Sequence, residues 1–292
     1  MKLSCLFNKA IELGIEKDPR KNKKKIRNFA DSNILFGSPD TEIKKVMVGI
    51  DIEVAELLLA DRLRARRGLD LVISHHPEGS SYARLYQVME LQLQVLKNAG
   101  VEESVAKRFL DERMREVERK VLPQNHSRPV DAARLLNIPF ICLHTPADNH
   151  AFQFVNRLLG KERPKKVKDI IDILIAEPEY RLAEKQSCGP KIILGNPRNS
   201  VGKILVEMTG GTEGPKEVFD RLYKKGVRTL VSMHLSEEHF KKAKDAKLNA
   251  IIAGHISSDT LGLNLLLDRL ESATGEKLEI IGCSGFNRFS RQ

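Results

Sequence analysis

Imidazole and carboxylate groups recur in this chain at points where an apolar run stops. Leu69–Ser74 leads into His75-His76, Ile138–Leu143 into His144, Val227–Met233 into His234, and Asn249–Gly254 into His255. A carboxylate follows four residues later in two cases, Asp148 after His144 and Asp259 after His255. Imidazole nitrogen with carboxylate oxygen and no thiolate is a donor set for Zn, Mn, Fe, Ni or Co, and the spacing does not choose among them. Five or more such donors exceed the four of a mononuclear structural zinc site, so the pattern predicts two divalent metal ions. In SHHP a turn forced by Pro77 would bring both rings of the histidine pair to one side. Cys142 stands two before His144 on the same strand face; it is either a soft ligand or a buried thiol, and the thiol is the commoner case. The other cysteines (Cys5, Cys188, Cys283) form no CxxC pair with it or with each other, which argues against a zinc ribbon and a disulfide framework.

The runs are short, rich in Val, Ile and Leu, and preceded by helix-like stretches, as expected of buried strands in an α/β sheet. Ligands of such sheets gather at the carboxyl ends of the strands, where these histidines fall. An echo of pattern divides the chain. Lys45–Asp51, a helical stretch to Arg67 and Leu69–His76 form one strand–helix–strand unit; Lys203–Thr209, Pro215–Lys225 and Val227–His234 form another. The fold expected is therefore α/β with duplicated lobes, 1–160 and 201–292, a linker region at 161–200, and a metal site shared between them. Helical spacing of Val105, Phe109, Met114, Val117 and Val121, and of Leu85, Val88, Met89 and Leu96, predicts an inserted α-hairpin around 83–121. A last helix is expected over Ser258–Ala273, capped by Ser257 or Ser258, with Asp259 in its first turn.

The chain has 292 residues, a net charge of +10 and no apolar window near membrane-spanning length. Its first residues are too polar for a secretory signal, so a cytoplasmic, membrane-free protein is expected. The positive balance favours an anionic partner, a phosphorylated small molecule or nucleic acid. The basic run Lys17–Arg27 has no interleaved aromatics and reads as solvated surface.

On these residues the chain resembles the NIF-three-like family, also known as GTP cyclohydrolase 1 type 2 homologues. Asp70–Pro77 (DLVISHHP) is similar to that family's histidine-pair motif, Leu143–Asp148 (LHTPAD) to its HTNLD box, and Ala253–Asp259 (AGHISSD) to its AGHxxxE box. Ile43–Ile52 looks like its first strand, and Asp31–Pro39 is a fainter match to its DNVGL segment. The resemblance implies metal ligands at His75, His76, Asp148, His255 and Asp259, with Asp259 where the family usually has glutamate. His144 would then stand behind the ligands and Asp148 would bridge. Met233-His234 replaces a usual Gly-Asp pair, and His76 to Asp148 is longer than usual. His126 in the added stretch could be drawn to the cleft, although a surface loop is the safer reading. The donor set and the positive charge lead to the expectation of a dinuclear metal-dependent hydrolase of a nucleotide-like or phosphorylated molecule, with His234, whose imidazole titrates in the useful range, or Glu78, which follows the histidine pair directly, shuttling protons; the resemblance adds GTP cyclohydrolase-type chemistry and a hexameric ring. A metal-stabilised adaptor for nucleic acid or protein is the alternative.

Overall fold

The computed structural model describes residues 1–291, folded as two sheets with helices around and between them. β1 (Ser32–Phe36), β2 (Lys45–Gly49), β3 (Leu71–Ser74) and β4 (Phe140–Leu143) stand in the order β1-β4-β3-β2, parallel except for β1. β5 (Lys191–Leu194), β6 (Lys203–Glu207), β7 (Val227–Ser232) and β8 (Asn249–Ile252) repeat that order as β5-β8-β7-β6, parallel except for β5. The duplicated α/β architecture is thus present. The repeat opens with β5, inside 161–200, a stretch that also holds the helices Val167–Ile175 and Pro178–Lys185. The final strand, β9 (Glu279–Cys283), returns to the first sheet and pairs with β2. Every residue of β3 and β4 is buried, which is why they read as unbroken apolar runs with no alternation.

Two helices lie between the sheets. Thr145–Glu162 leaves β4 and packs Ala151, Val155 and Leu159 with Val206, Val231 and Ile251 of the second sheet. His255–Thr274 leaves β8 and packs Leu263, Leu266, Leu267 and Leu270 with Val46, Val48, Leu71, Ile73 and Ile141 of the first. Each lobe therefore covers the other's sheet, and burial of apolar surface ties the halves together. The helices meet at Gly262, where a Cβ would lie 2.5 Å from the Ala147 carbonyl oxygen and 3.4 Å from the Ala151 Cβ.

The His255–Thr274 helix starts three residues before the expected Ser258. Gly254, at φ 109°, turns the chain straight from β8 into it and serves as N-cap, while Ser257 and Ser258 hydroxyls donate back to the Gly254 carbonyl. His255 is consequently the first helical residue, and Asp259 sits one turn on, on the same face.

The expected helical hairpin is present between β3 and β4. Short helical pieces from Ser80 to Ala99 turn at Gly100 (φ 102°) into the long helix Glu103–Val121. Leu96, Ala99, Val101 and Ala106 pack with Leu205, Val227 and Leu230 of the second lobe, so the insertion spends its apolar face across the lobe boundary. No helix among the described residues is long and apolar enough to cross a membrane.

Candidate metal centre

The parallel strands of both sheets aim their carboxyl ends at one cleft. His75 and His76 follow β3, with their backbone N–H groups donating to the Gly49 and Ile50 carbonyls at 2.9 Å each, a tie that fixes where both side chains start. Their ring centroids are 5.2 Å apart. His144 ends β4, and Asp148 sits one turn into the helix after it; His255 and Asp259 hold the equivalent places after β8. Close approach of the two helices at Gly262 brings the two aspartates to the same histidine. His75 Nε2 lies 3.4 Å from Asp148 Oδ1 and 3.4 Å from Asp259 Oδ1. His76 Nε2 and His255 Nε2 each lie 3.5 Å from Asp259 Oδ2, and His144 Nε2 lies 3.6 Å from Asp148 Oδ2.

These separations are long for hydrogen bonds. Both nitrogens of His75, Oδ1 of Asp148 and both oxygens of Asp259 are buried without a hydrogen-bond partner. Orphaned buried polar atoms cost about 1–3 kcal/mol each, a cost that a shared cation would remove. Three overlapping groups each gather donor atoms within 4.8 Å of one another: His75 with His76 and His144, His76 with His255 and Asp259, and His75 with Asp148 and Asp259. The residues present therefore fit metal ions, and His144 belongs to one of the three donor groups.

Two carboxylates that sequence reasoning left out of the ligand set position the rings. Asp51, two residues beyond β2, accepts from His76 Nδ1 at 2.6 Å, and buried Asp31 accepts from His144 Nδ1 at 2.8 Å and from the Thr145 hydroxyl at 2.6 Å. Each leaves the Nε2 of its ring turned to the cluster, the usual arrangement behind a metal-bound histidine. Asp51 carried a signal, since it too ends a strand. Asp31 carried less: it precedes β1, and only the antiparallel direction of β1 puts a strand's start at this end of the sheet.

Burial would lower the His75 and His76 basicities, but Asp259 and Asp148 beside His75, and Asp259 and Asp51 beside His76, raise them to about 10 and about 9. Burial works against the Asp259 charge, yet His75, His76 and His255 hold its carboxyl well below the usual range. Burial, with the charges of His76 and His234, lowers His255 despite Asp259. The cluster thus holds ion pairs that a divalent cation would replace by displacing the imidazole protons.

His234 lies outside the three donor groups, with its ring 4.9 Å from that of His255 and its Nδ1 3.7 Å from Glu213 Oε1. Burial lowers its basicity, but Glu213 outweighs this and raises it. Glu213 accepts from the Ser236 N–H at 2.5 Å, while Arg113 of the inserted hairpin donates to its carbonyl at 3.1 Å. Glu78 and His126 face His76, His144, His234 and His255 across a cavity of about 400 Å³ at the cluster's mouth. Burial, then the charge of Glu53, pushes the Glu78 carboxyl up to about 8. His126, read more safely as surface, is instead half-buried with its ring 4.9 Å from that of Tyr82, because the hairpin folds its exit loop back over the cleft. Cys142 is a buried thiol donating to the Asp31 carbonyl, pushed up to about 11 by burial, and belongs to none of the donor groups.

No family model matches the chain, and no curated relative matches it either. Among solved structures, the chain is similar to a NIF3 superfamily protein from Sphaerobacter thermophilus, at 29% identity and TM-score 0.76, over 94% of this chain and 97% of that one. It shares its fold with reduced HcgD from Methanocaldococcus jannaschii (16% identity, TM-score 0.57, 97% of each chain). TTHA1606 from Thermus thermophilus has the same fold (15% identity, TM-score 0.54, 97% of each chain). The Sphaerobacter match spans nearly all of both chains, so the duplicated sheets are similar throughout to the fold of a NIF3 superfamily protein.

Proposed function

We propose that this protein is a hydrolase dependent on two divalent metal ions, drawn from Zn, Mn, Fe, Ni or Co, that acts on a nucleotide-like or phosphorylated small molecule. The observation that carries the reading is the set of buried, unpartnered atoms on His75, Asp148 and Asp259 at the meeting of three donor groups. His75, His76, Asp148, His255 and Asp259 would hold the ions, with His144 at the Asp148 end. When bound, such ions supply Lewis acidity and lower the pKa of a nearby water. Asp51 and Asp31 keep the His76 and His144 rings oriented by accepting hydrogen bonds from their Nδ1–H groups. Glu213 steadies His234 at the mouth, a position suited to moving a proton between cleft and solvent. Glu78, on another wall of the same cavity, is the second proton-carrying candidate. The net charge of +10 and Arg128 in the cavity wall suit an anionic substrate. Ring opening of a purine, the chemistry that the cyclohydrolase name implies, is the narrowest form of this reading, and the hexameric ring belongs with it.

Metal analysis of wild type and a His75→Ala/His76→Ala variant, joined to a turnover screen on nucleotides and phosphoesters, tests the proposal. Two ions per chain and metal-dependent turnover lost in the variant are expected. Fewer than one ion per chain in reconstituted wild type would sink it. The basic surface also favours an adaptor reading; salt-sensitive nucleic-acid binding that survives in the variant, without turnover in wild type, would select that reading.

A further inference from the structure

A second cavity, of about 370 Å³, opens further along the two crossing helices and shares no lining residue with the cavity at the histidines. Three helices bring a cation to it: Lys17 from the end of Leu3–Lys17, Arg157 from Thr145–Glu162 and Arg269 from His255–Thr274. Arg269 pairs with Glu16 and approaches His150 Nε2 at 3.4 Å. Lys17 and Arg157 form no ion pair among the described residues, so these three cations against Glu16 leave a surplus of two positive charges. The other charged lining residues are paired: Arg291 Nη2 reaches Glu179 at 2.6 Å and Glu177 at 3.3 Å, and Asp268 accepts from Arg288, which lies outside the lining, at 2.6 Å. The convergence has a cost, since burial and then Arg269, Arg157 and Lys23 hold the Lys17 ammonium below its usual range against the pull of Glu16. Gln153 and Ser272 add neutral hydrogen-bonding groups to the wall.

We propose that this cavity is a binding site for a phosphate dianion carried by a small molecule. Two unmatched cations balance its charge, the Arg157 fork presents paired N–H donors to its oxygens, and Lys17 acts as a point charge. A volume of about 370 Å³ falls at the small end of ligand pockets, which run roughly 300–1,000 Å³. Nucleic acid would call for a basic stripe that follows a backbone, whereas here three helices bring their cations to the wall of a single cavity. The basic run that starts at Lys17 thereby gains a role for its first residue. The inference stands independently of the chemistry proposed at the histidine cluster.

Calorimetric titration of inorganic phosphate and pyrophosphate into the full chain tests it, run as purified and again after chelation so that binding at metal ions is separated. Saturable binding to one site per chain is expected after chelation, weakened about tenfold or more in Lys17→Ala/Arg157→Ala. A Lys161→Ala/Lys165→Ala control, which removes the same charge from outside the cavity, should bind as wild type does. Arg157→Lys keeps the charge and loses the fork; it should weaken binding with an unchanged melting temperature, which separates loss of the site from loss of the fold. Absence of saturable binding, or an equal loss in the control, overturns the proposal. It is also overturned if a short single-stranded oligonucleotide binds through Lys17 and Arg157 while phosphate and pyrophosphate do not.

Discussion

Gly262→Ala should disturb the candidate metal centre from a position outside its donor groups. The new Cβ would lie 2.5 Å from the Ala147 carbonyl oxygen, one residue before Asp148. Carbon and oxygen rest at about 3.3 Å or more, so the helices must part by roughly 0.8 Å. Backbone stands on the far side of the clash, so no flexible side chain can yield. Overpacking of this kind costs about 1–3 kcal/mol, and replacing glycine by alanine in a helix returns about 1 kcal/mol. The net loss, about 0–2 kcal/mol, shifts the melting temperature by no more than several degrees in a chain of this size. Metal binding is far less tolerant. Ligand distances must hold to about 0.2 Å, and the displaced helix carries Asp148 relative to Asp259 and His75. Metal affinity should therefore fall about tenfold or more while the fold survives. Competition with a chromogenic chelator reads the affinity, and calorimetry reads the melting temperature. Wild-type affinity in a variant with a lowered melting temperature would refute the claim that this crossing sets the ligand geometry.

Two further outcomes concern carboxylates near the cluster. Asp51→Asn removes the charge that fixes His76 Nδ1 as a donor, and metal affinity should drop about 10–100-fold with little change in melting temperature; unchanged metal content under chelator competition would count against that positioning role. For Glu213, burial pushes the carboxyl up, but His234, His239 and the Ser236 N–H outweigh it and hold it at about 2. A lowered folded-state pKa contributes stability that is fully present above the unfolded value of about 4.5 and is lost as pH falls toward 2. The contribution is on the order of 1–3 kcal/mol, so Glu213→Gln should be less stable at neutral pH and flatter between pH 4.5 and 2. Parallel acid-denaturation curves for variant and wild type would contradict this.

Much of the fold was legible because its inner parallel strands, β3 and β4 of the first sheet and β7 and β8 of the second, are buried almost throughout. Continuous apolar runs such as those before His75 and His255 announce such strands without any tertiary information, and strand direction then puts the residues after each run at the ligand-binding end. The helix at His255 was misplaced by three residues, since Gly254 works through a positive φ that its residue type permits but does not announce. Asp31 escaped because its place depends on an antiparallel partner. Local sequence leaves His126 between cleft and surface loop, because the fold-back of a hairpin exit loop depends on contacts distant in sequence.

Donor types, their intervals and the strands that carry them are local properties of the chain: His75 and His76 adjacent, Asp148 and Asp259 each one turn past a histidine. That these pieces share one cleft is a matter of long-range packing. Asp148 and Asp259 are separated by more than a hundred residues and meet because helices of opposite lobes cross where Gly262 has no side chain. Tertiary packing also set His234 apart from the donor groups and drew Lys17, Arg157 and Arg269 to a second cavity. Local intervals follow from backbone periodicity, whereas convergence follows from which apolar faces bury each other, a property of the whole chain.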